Sequence, residues 1–183
     1  QANRNAEKEG NWKKHLGPLY TEDAVYRWNV GPHEEFYARG RKEIEEIALG
    51  YQMEGFQNWN YPYDAVIIDE KRGEVVCFWR QVAPALRGDG SPYEVAGIGG
   101  SWFSYAGRYK WSGQRDFFDF ANVKALLFEL AGDGKLDAPV KRKIHLQARG
   151  SLLPGHELIR PKPGLFRRTK NFLAMARIAL LGK

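Results

Sequence analysis

Gln114-Arg115-Asp116-Phe117-Phe118-Asp119-Phe120 is the stretch on which the fold turns. If it is extended, its side chains alternate. Gln114, Asp116, Phe118 and Phe120 then share one face, and Arg115, Phe117 and Asp119 the other. A carboxylate among aromatics on a core-facing strand is costly to bury unless something pairs with it. Arg80, in the apolar run Val75-Val76-Cys77-Phe78-Trp79-Arg80-Gln81-Val82, is the natural partner. Such a pair can mark a pocket, and it can equally be a brace that holds a sheet together.

Outward from that stretch, the chain reads as helices followed by strands. Residues 2–16 are polar with helical spacing of Trp12 and Leu16, and Gly17-Pro18 ends them. A short strand is expected over 24–29, a loop over 31–35 and an amphipathic helix over 40–49. Strands over 63–68, 75–83, 93–105 and 109–120 follow, joined by Gly-containing turns, and then a short helix over 122–130. Helices first and four consecutive antiparallel strands after them predict an α+β fold. It would be a cone-shaped curved sheet, mixed or antiparallel, packed against the N-terminal helices, with its mouth as the pocket. Gly97, Gly99 and Gly100 within one expected strand mark a bulge, a bend or the close approach of another group.

The chain has 183 residues with 43% hydrophobic and 14% aromatic content, enough for one core plus an extension. Cys77 is the only cysteine, which excludes an intramolecular disulfide and fits a reducing, cytoplasmic setting; a packed thiol is expected rather than a nucleophile. The chain starts at Gln1 rather than at methionine, so a further N-terminal stretch is expected and the lack of a signal peptide carries little weight. No run is long and apolar enough to be a membrane span.

Charge divides the chain. Residues 139–183 hold eleven basic residues against Glu157 alone, a net +10; the whole chain is +6, so residues 1–138 carry −4. A domain over 1–138 with a basic C-terminal arm over 139–183 is expected. The mildly acidic body argues against a nucleic-acid face. Residues 167–181 read as an amphipathic basic helix. The arm is expected to reach a neighbouring protomer of a homo-oligomer; contact with anionic lipid is the less favoured alternative.

Three motifs in order carry a family resemblance: Leu19-Tyr20-Thr21-Glu22-Asp23-Ala24-Val25-Tyr26, Arg39-Gly40-Arg41-Lys42-Glu43-Ile44 and Arg115-Asp116-Phe117-Phe118-Asp119. Over roughly residues 8–130 the chain resembles the nuclear transport factor 2-like superfamily, in its SnoaL-like branch. That resemblance implies a cone-shaped α+β domain. Relatives include ketosteroid isomerases, scytalone dehydratase, polyketide cyclases, limonene-epoxide hydrolase and lyases that deformylate diarylpropanes, and some members catalyse nothing. The local parallel with limonene-epoxide hydrolase implies an Asp116–Arg80 pair and retains Tyr26. The second acid's position is Val82 and the asparagine position is Trp28, which speaks against epoxide hydrolysis.

Asp116, Arg80, Tyr26 and His33 are therefore the candidate catalytic residues, with Trp28, Phe78, Val82, Phe118 and Trp102 as candidate substrate contacts. Asp116 would move a proton and Arg80 would hold it or a substrate oxygen. Tyr26 would donate to an oxyanion, and His33 would serve from a loop at the mouth. Each has an ordinary reading beside it: ion-pair brace, core packing, solvated loop. His15, His33, His145 and His156 show no ligand spacing, so no metal is expected. There is no phosphate loop or dinucleotide fingerprint, so no cofactor is expected either. The expected activity is a cofactor-independent lyase, dehydrating or deformylating a hydrophobic hydroxylated aromatic or polycyclic molecule. Isomerase, epoxide hydrolase and non-catalytic binding module are the alternatives.

Overall fold

The computed structural model describes residues 1–182. Two helices open it, α1 (Ala2–Glu9) and α2 (Trp12–Leu16). The single helix expected over 2–16 is split at Gly10, whose φ of 62° closes α1, and Asn11 caps α2 by accepting from the Lys14 amide. Strand β1 (Tyr20–Gly31) turns at Pro32-His33 into β2 (Glu34–Arg39). The expected loop over 31–35 is thus the tip of a hairpin, and β1 starts four residues earlier than its pattern suggested. Helix α3 (Gly40–Glu43) widens into a π-helical turn, Ile44–Ala48, before Gly50 stops it.

Strands β3 (Tyr63–Asp69), β4 (Glu74–Trp79), β5 (Val82–Leu86), β6 (Pro92–Glu94), β7 (Gly99–Gly107) and β8 (Lys110–Phe117) follow. Helices α4 (Phe120–Gly132) and α5 (Ala138–Ala148), strand β9 (His156–Leu158) and helix α6 (Leu165–Leu181) complete the chain. The main sheet has the order β3-β4-β7-β8-β1-β2-β9, with one parallel pair, β1 with β8. It is the mixed sheet of the expected α+β fold, with α1, α2 and the π-helical turn on one face. Ala6, Trp12, Tyr20, Ala24, Trp28, Phe36 and Ile44 form the core between them.

Two expected long strands are each broken. The run over 75–83 is interrupted at Arg80-Gln81, and the run over 93–105 at Gly97, whose φ of 88° bends the backbone in a way that suits glycine. Their detached ends, β5 and β6, pair with each other in a small second sheet. Gly99 and Gly100 serve close approach instead: a Cβ would collide with the Trp79 ring at Gly99 and with the Phe117 ring at Gly100.

The small sheet seeds a second core with the helices after β8. Trp59, Tyr93, Leu126, Leu130, Leu136 and Val140 pack together there. The extension over 139–183 is therefore not a free arm from its start. Helix α5 buries Val140 and Lys143 against the body, and the Lys143 Nζ donates to the carbonyls of Gln52 (2.9 Å) and Glu54 (3.0 Å). Strand β9 adds to the edge of β2. The buried His156 ring meets Glu34 at 2.7 Å, and Arg39 forks onto Glu157. Only α6 stays uncovered, and none of its residues is buried.

Candidate functional site

The strand registers align one residue from each strand into rows across the sheet. On the core face, Cys77, Ser101, Asp116, Trp28 and Phe36 form one such row. Phe103, Gln114, Tyr26 and Ala38 form the next. The alternation expected for the Gln114–Phe120 stretch holds over these residues, so Asp116 points inward and is 7% exposed.

Asp116 has no cation on it. Oδ2 accepts from the Tyr26 hydroxyl at 2.5 Å, and Oδ1 accepts from Ser101 Oγ at 2.6 Å and Gln114 Nε2 at 2.8 Å. Behind these donors stand two more: the Trp79 indole N–H donates to Ser101 Oγ at 2.9 Å, and the Tyr20 hydroxyl donates to Gln114 Oε1. The chain of donors runs inward from both sides and ends on the carboxylate. Each polar group in it has a partner, as a buried network requires.

Burial pushes the Asp116 carboxyl above its ordinary range, while the bonds from Gln114, Ser101 and Tyr26 pull it back down in part. The Tyr26 phenol is pushed well above its usual value, first by burial and then by the Asp116 charge. It stays protonated and remains a donor. Tyr20 is raised for the same two reasons. Burial also raises Tyr61, Tyr63 and the Cys77 thiol, with the Asp116 charge adding to each. Cys77 is thus a buried, protonated thiol in the same row as the carboxylate, two strands away across Ser101.

Aromatic rings wall the site. Tyr26 meets Trp28 edge-on at 5.3 Å, Trp28 stacks on Phe36 at 3.5 Å, and Phe118 lies against Trp79 (6.2 Å) and Phe120 (4.9 Å). Trp28 and Phe118, two of the expected substrate contacts, are therefore on the Asp116 side of the sheet.

The other expected residues are elsewhere. Arg80 does not pair with Asp116. It sits at the break after β4 and holds Asp64 (3.1 Å) and Glu94 (3.1 Å) at the surface. Arg80 is in phase with Phe78 and one residue past the core-facing Trp79, so strand alternation alone directs it away from Asp116. Phe78 and Trp102 lie on the opposite face of the sheet, one residue out of phase with Cys77 and Ser101. Phe78 meets Phe117 there at 6.2 Å, and Trp102 is 43% exposed. Val82 belongs to the small sheet, paired with Glu94 and bridged to Asn60. His33 is in the β1–β2 turn, and its carbonyl accepts from the Ile159 amide at 3.0 Å. Gly31, beside that turn, is three residues past Trp28, on the order of 10 Å along the strand, and His33 takes no part in the Asp116 network.

Ser101, Trp79, Tyr20 and Tyr61 were not singled out as site residues from sequence. The antiparallel register that sets Ser101 opposite Asp116 is the signal that would have found it. Among the described residues no group of three or more His, Cys, Asp or Glu side chains converges as metal ligands would. A cleft of 350 Å³ opens between α2 and the turn around Gly50, lined by Trp12, Lys13, Glu46 and Tyr51 among others, and it does not reach Asp116.

No family model matches the chain, and no curated protein matches it. Solved structures do. A protein assigned as a SnoaL-like polyketide cyclase, from Jannaschia sp. CCS1, is 15% identical, over 68% of this chain and 90% of that one, with a TM-score of 0.49. A hypothetical protein of ketosteroid isomerase-like fold from Catenulispora acidiphila is 15% identical, over 68% and 90%, at 0.48. The epoxide hydrolase/cyclase-like enzyme SalBIII of pyran ring formation in salinomycin is 14% identical, over 66% and 87%, at 0.49. The likeness is one of fold alone. The first two carry the SnoaL-like and ketosteroid isomerase-like descriptions of the branch that the sequence motifs resemble.

Proposed function

We propose that Asp116 is the acid–base group of a cofactor-independent enzyme that acts on a hydrophobic, hydroxylated aromatic or polycyclic small molecule. The observation that carries this reading is a buried carboxylate held only by neutral donors. A structural carboxylate is most cheaply buried against a cation, whereas one left with neutral donors keeps a raised affinity for a proton. That is the property a general base near neutral pH needs.

Lyase chemistry suits the site best. Ionised Asp116 takes a proton from the substrate, the electron pair moves toward the carbon that bears the hydroxyl, and the C–O bond breaks. Protonated Asp116 returns its proton to the departing oxygen, and water leaves. In the deformylating variant Asp116 takes the hydroxyl proton, the C–C bond breaks with release of formaldehyde, and the carbanion left behind receives the proton. In the dehydration the pair ends in the new C=C bond, and in the deformylation an aromatic ring next to the carbanion would delocalise it until the proton arrives. Tyr26 and Gln114 position the carboxylate, and Trp28 and Phe118 would face the rings of the substrate.

A non-catalytic role has one observation in its favour: Asp116 is already fully hydrogen-bonded, and the 350 Å³ cleft opens elsewhere. Incubation without cofactors against a panel of hydroxylated diaryl, terpenoid and steroid compounds, read by mass spectrometry, separates the two. Loss of water or formaldehyde that Asp116→Asn abolishes supports the lyase. Stabilisation by a compound that is returned unchanged by both proteins supports a binding module.

A further inference from the structure

Helix α6 presents an apolar surface that its own chain leaves bare. Phe166 is 85% exposed, Leu180 82% and Phe172 72%. At 100° per residue, Leu165, Phe166, Phe172, Leu173, Ala176 and Leu180 fall within an arc of roughly 120°. Lys170 and Arg177 border it on one side and Arg168 on the other. From residue 159 to 182 there are six basic residues, Arg160, Lys162, Arg167, Arg168, Lys170 and Arg177, and no acid. The stretch Pro161-Lys162-Pro163-Gly164 separates the helix from β9, which is fixed to the body.

Charge decides what could cover this face. A second copy of the chain would have to offer free acids. Some acids on its body already hold cations, Glu22 with Arg41, Glu129 with Arg87 and Glu157 with Arg39. Among the described residues others such as Glu45, Glu46, Glu70 and Glu74 form no ion pair, so a second copy is the rival occupant that the test below must exclude. A sheet of anionic headgroups offers unpaired negative charge over an apolar layer. An apolar arc edged by long cationic side chains matches that surface, because the stems can lie along the apolar boundary while the charges reach the headgroups. No described helix is long and apolar enough to cross a membrane, so α6 would lie in the surface.

We propose that α6 is a membrane-surface anchor that docks this protein on anionic phospholipid. Phe166 and Phe172 enter the acyl boundary, and Arg168, Lys170 and Arg177, which border the arc, lie at the headgroups. The inference stands apart from the chemistry at Asp116.

The test is co-sedimentation of the full chain with vesicles of phosphatidylcholine alone or with about 30% phosphatidylglycerol, at low and raised salt. Binding should be roughly tenfold or more stronger on the anionic vesicles and should weaken as salt rises from about 0.1 M toward 0.5 M. Two variants, Phe166→Asp with Phe172→Asp, and Arg168→Glu with Lys170→Glu and Arg177→Glu, should each lose about tenfold or more. Their melting temperatures should stay unchanged because α6 buries none of its residues. If a variant melts early, the salt and lipid dependence of the unaltered chain decides. No binding, equal binding to neutral vesicles, or full binding by both variants overturns the proposal. So does a dimer in lipid-free solution that Phe166→Asp with Phe172→Asp dissociates, for the occupant is then a second copy.

Discussion

The Tyr26 hydroxyl donates to Oδ2 of Asp116 at 2.5 Å across the one parallel strand pair in the sheet. Because β1 and β8 run side by side in the same direction, Tyr26 is level with Gln114 and Trp28 with Asp116, so the phenol reaches the acid from one row away. A neutral donor thus occupies a place where a guanidinium was expected, and the acid keeps a raised pKa.

Replacing that acid separates function from stability. Asp116→Asn keeps the shape, and its amide can still accept from Ser101 and Gln114, but it can take no proton. We expect turnover in the mass-spectrometric assay to fall by about 10²–10⁴-fold. Thermal melting at neutral pH should hold or rise, by on the order of 1 kcal/mol, since a buried charge is removed.

The same shift sets a pH dependence. Asp116 has a higher pKa folded than unfolded, so the folded state binds the proton more tightly. Stability then falls as pH rises from the unfolded value toward the folded one, and is flat above it. Activity that needs the ionised base runs the other way, rising through the folded pKa. Tyr26→Phe removes a bond that favours the ionised form, so the acid limb of the pH–rate profile should move to higher pH. An unmoved limb would detach Tyr26 from Asp116.

Arg80→Ala should be mild. Its partners Asp64 and Glu94 are surface groups screened by solvent, so we expect little or no change in denaturant melts. The pH–rate profile should not change. A shifted profile would show that the guanidinium acts on Asp116 after all.

Lys143 should leave its own mark at alkaline pH. Burial brings its amine down to about 8 from 10.5, so between those values the unfolded chain is protonated and the folded one is not. Stability attributable to this residue therefore rises with pH from about 8 to 10.5 and is level outside that window. Subtracting the melting curve of Lys143→Met across this range isolates the effect. A flat difference would refute it.

Gly99→Ala and Gly100→Ala each put a methyl into an aromatic ring, Trp79 or Phe117. Overpacking of this kind costs about 1–3 kcal/mol, to be read from chemical denaturation. The Gly99 change should also disturb activity, because Trp79 holds Ser101 and Ser101 holds Asp116. The Gly100 change acts on the opposite face and should spare it.

The sequence by itself determined the local matters. Alternation over residues 114–117 set which side chains share a face, because a strand's period of two is a property of the backbone. Helical spacing and glycine breaks placed the helices over 40–49, 122–130 and 167–181 but neither α5 nor the split at Gly10, and the order of elements carried the α+β class. Only the tertiary structure decided which residues meet. Register put Ser101 beside Asp116 and set Cys77 and Trp79 on the core face, which left Phe78, Arg80 and Trp102 out of phase with the acid and Arg80 free to hold Asp64 and Glu94. The fate of residues 139–158 was likewise tertiary: their basic composition suggests a free arm, but Val140 and β9 found partners on the body that lie far away in sequence. One residue of register exchanges every side chain between two faces, and that register is set by the summed packing of all strands rather than by any one of them.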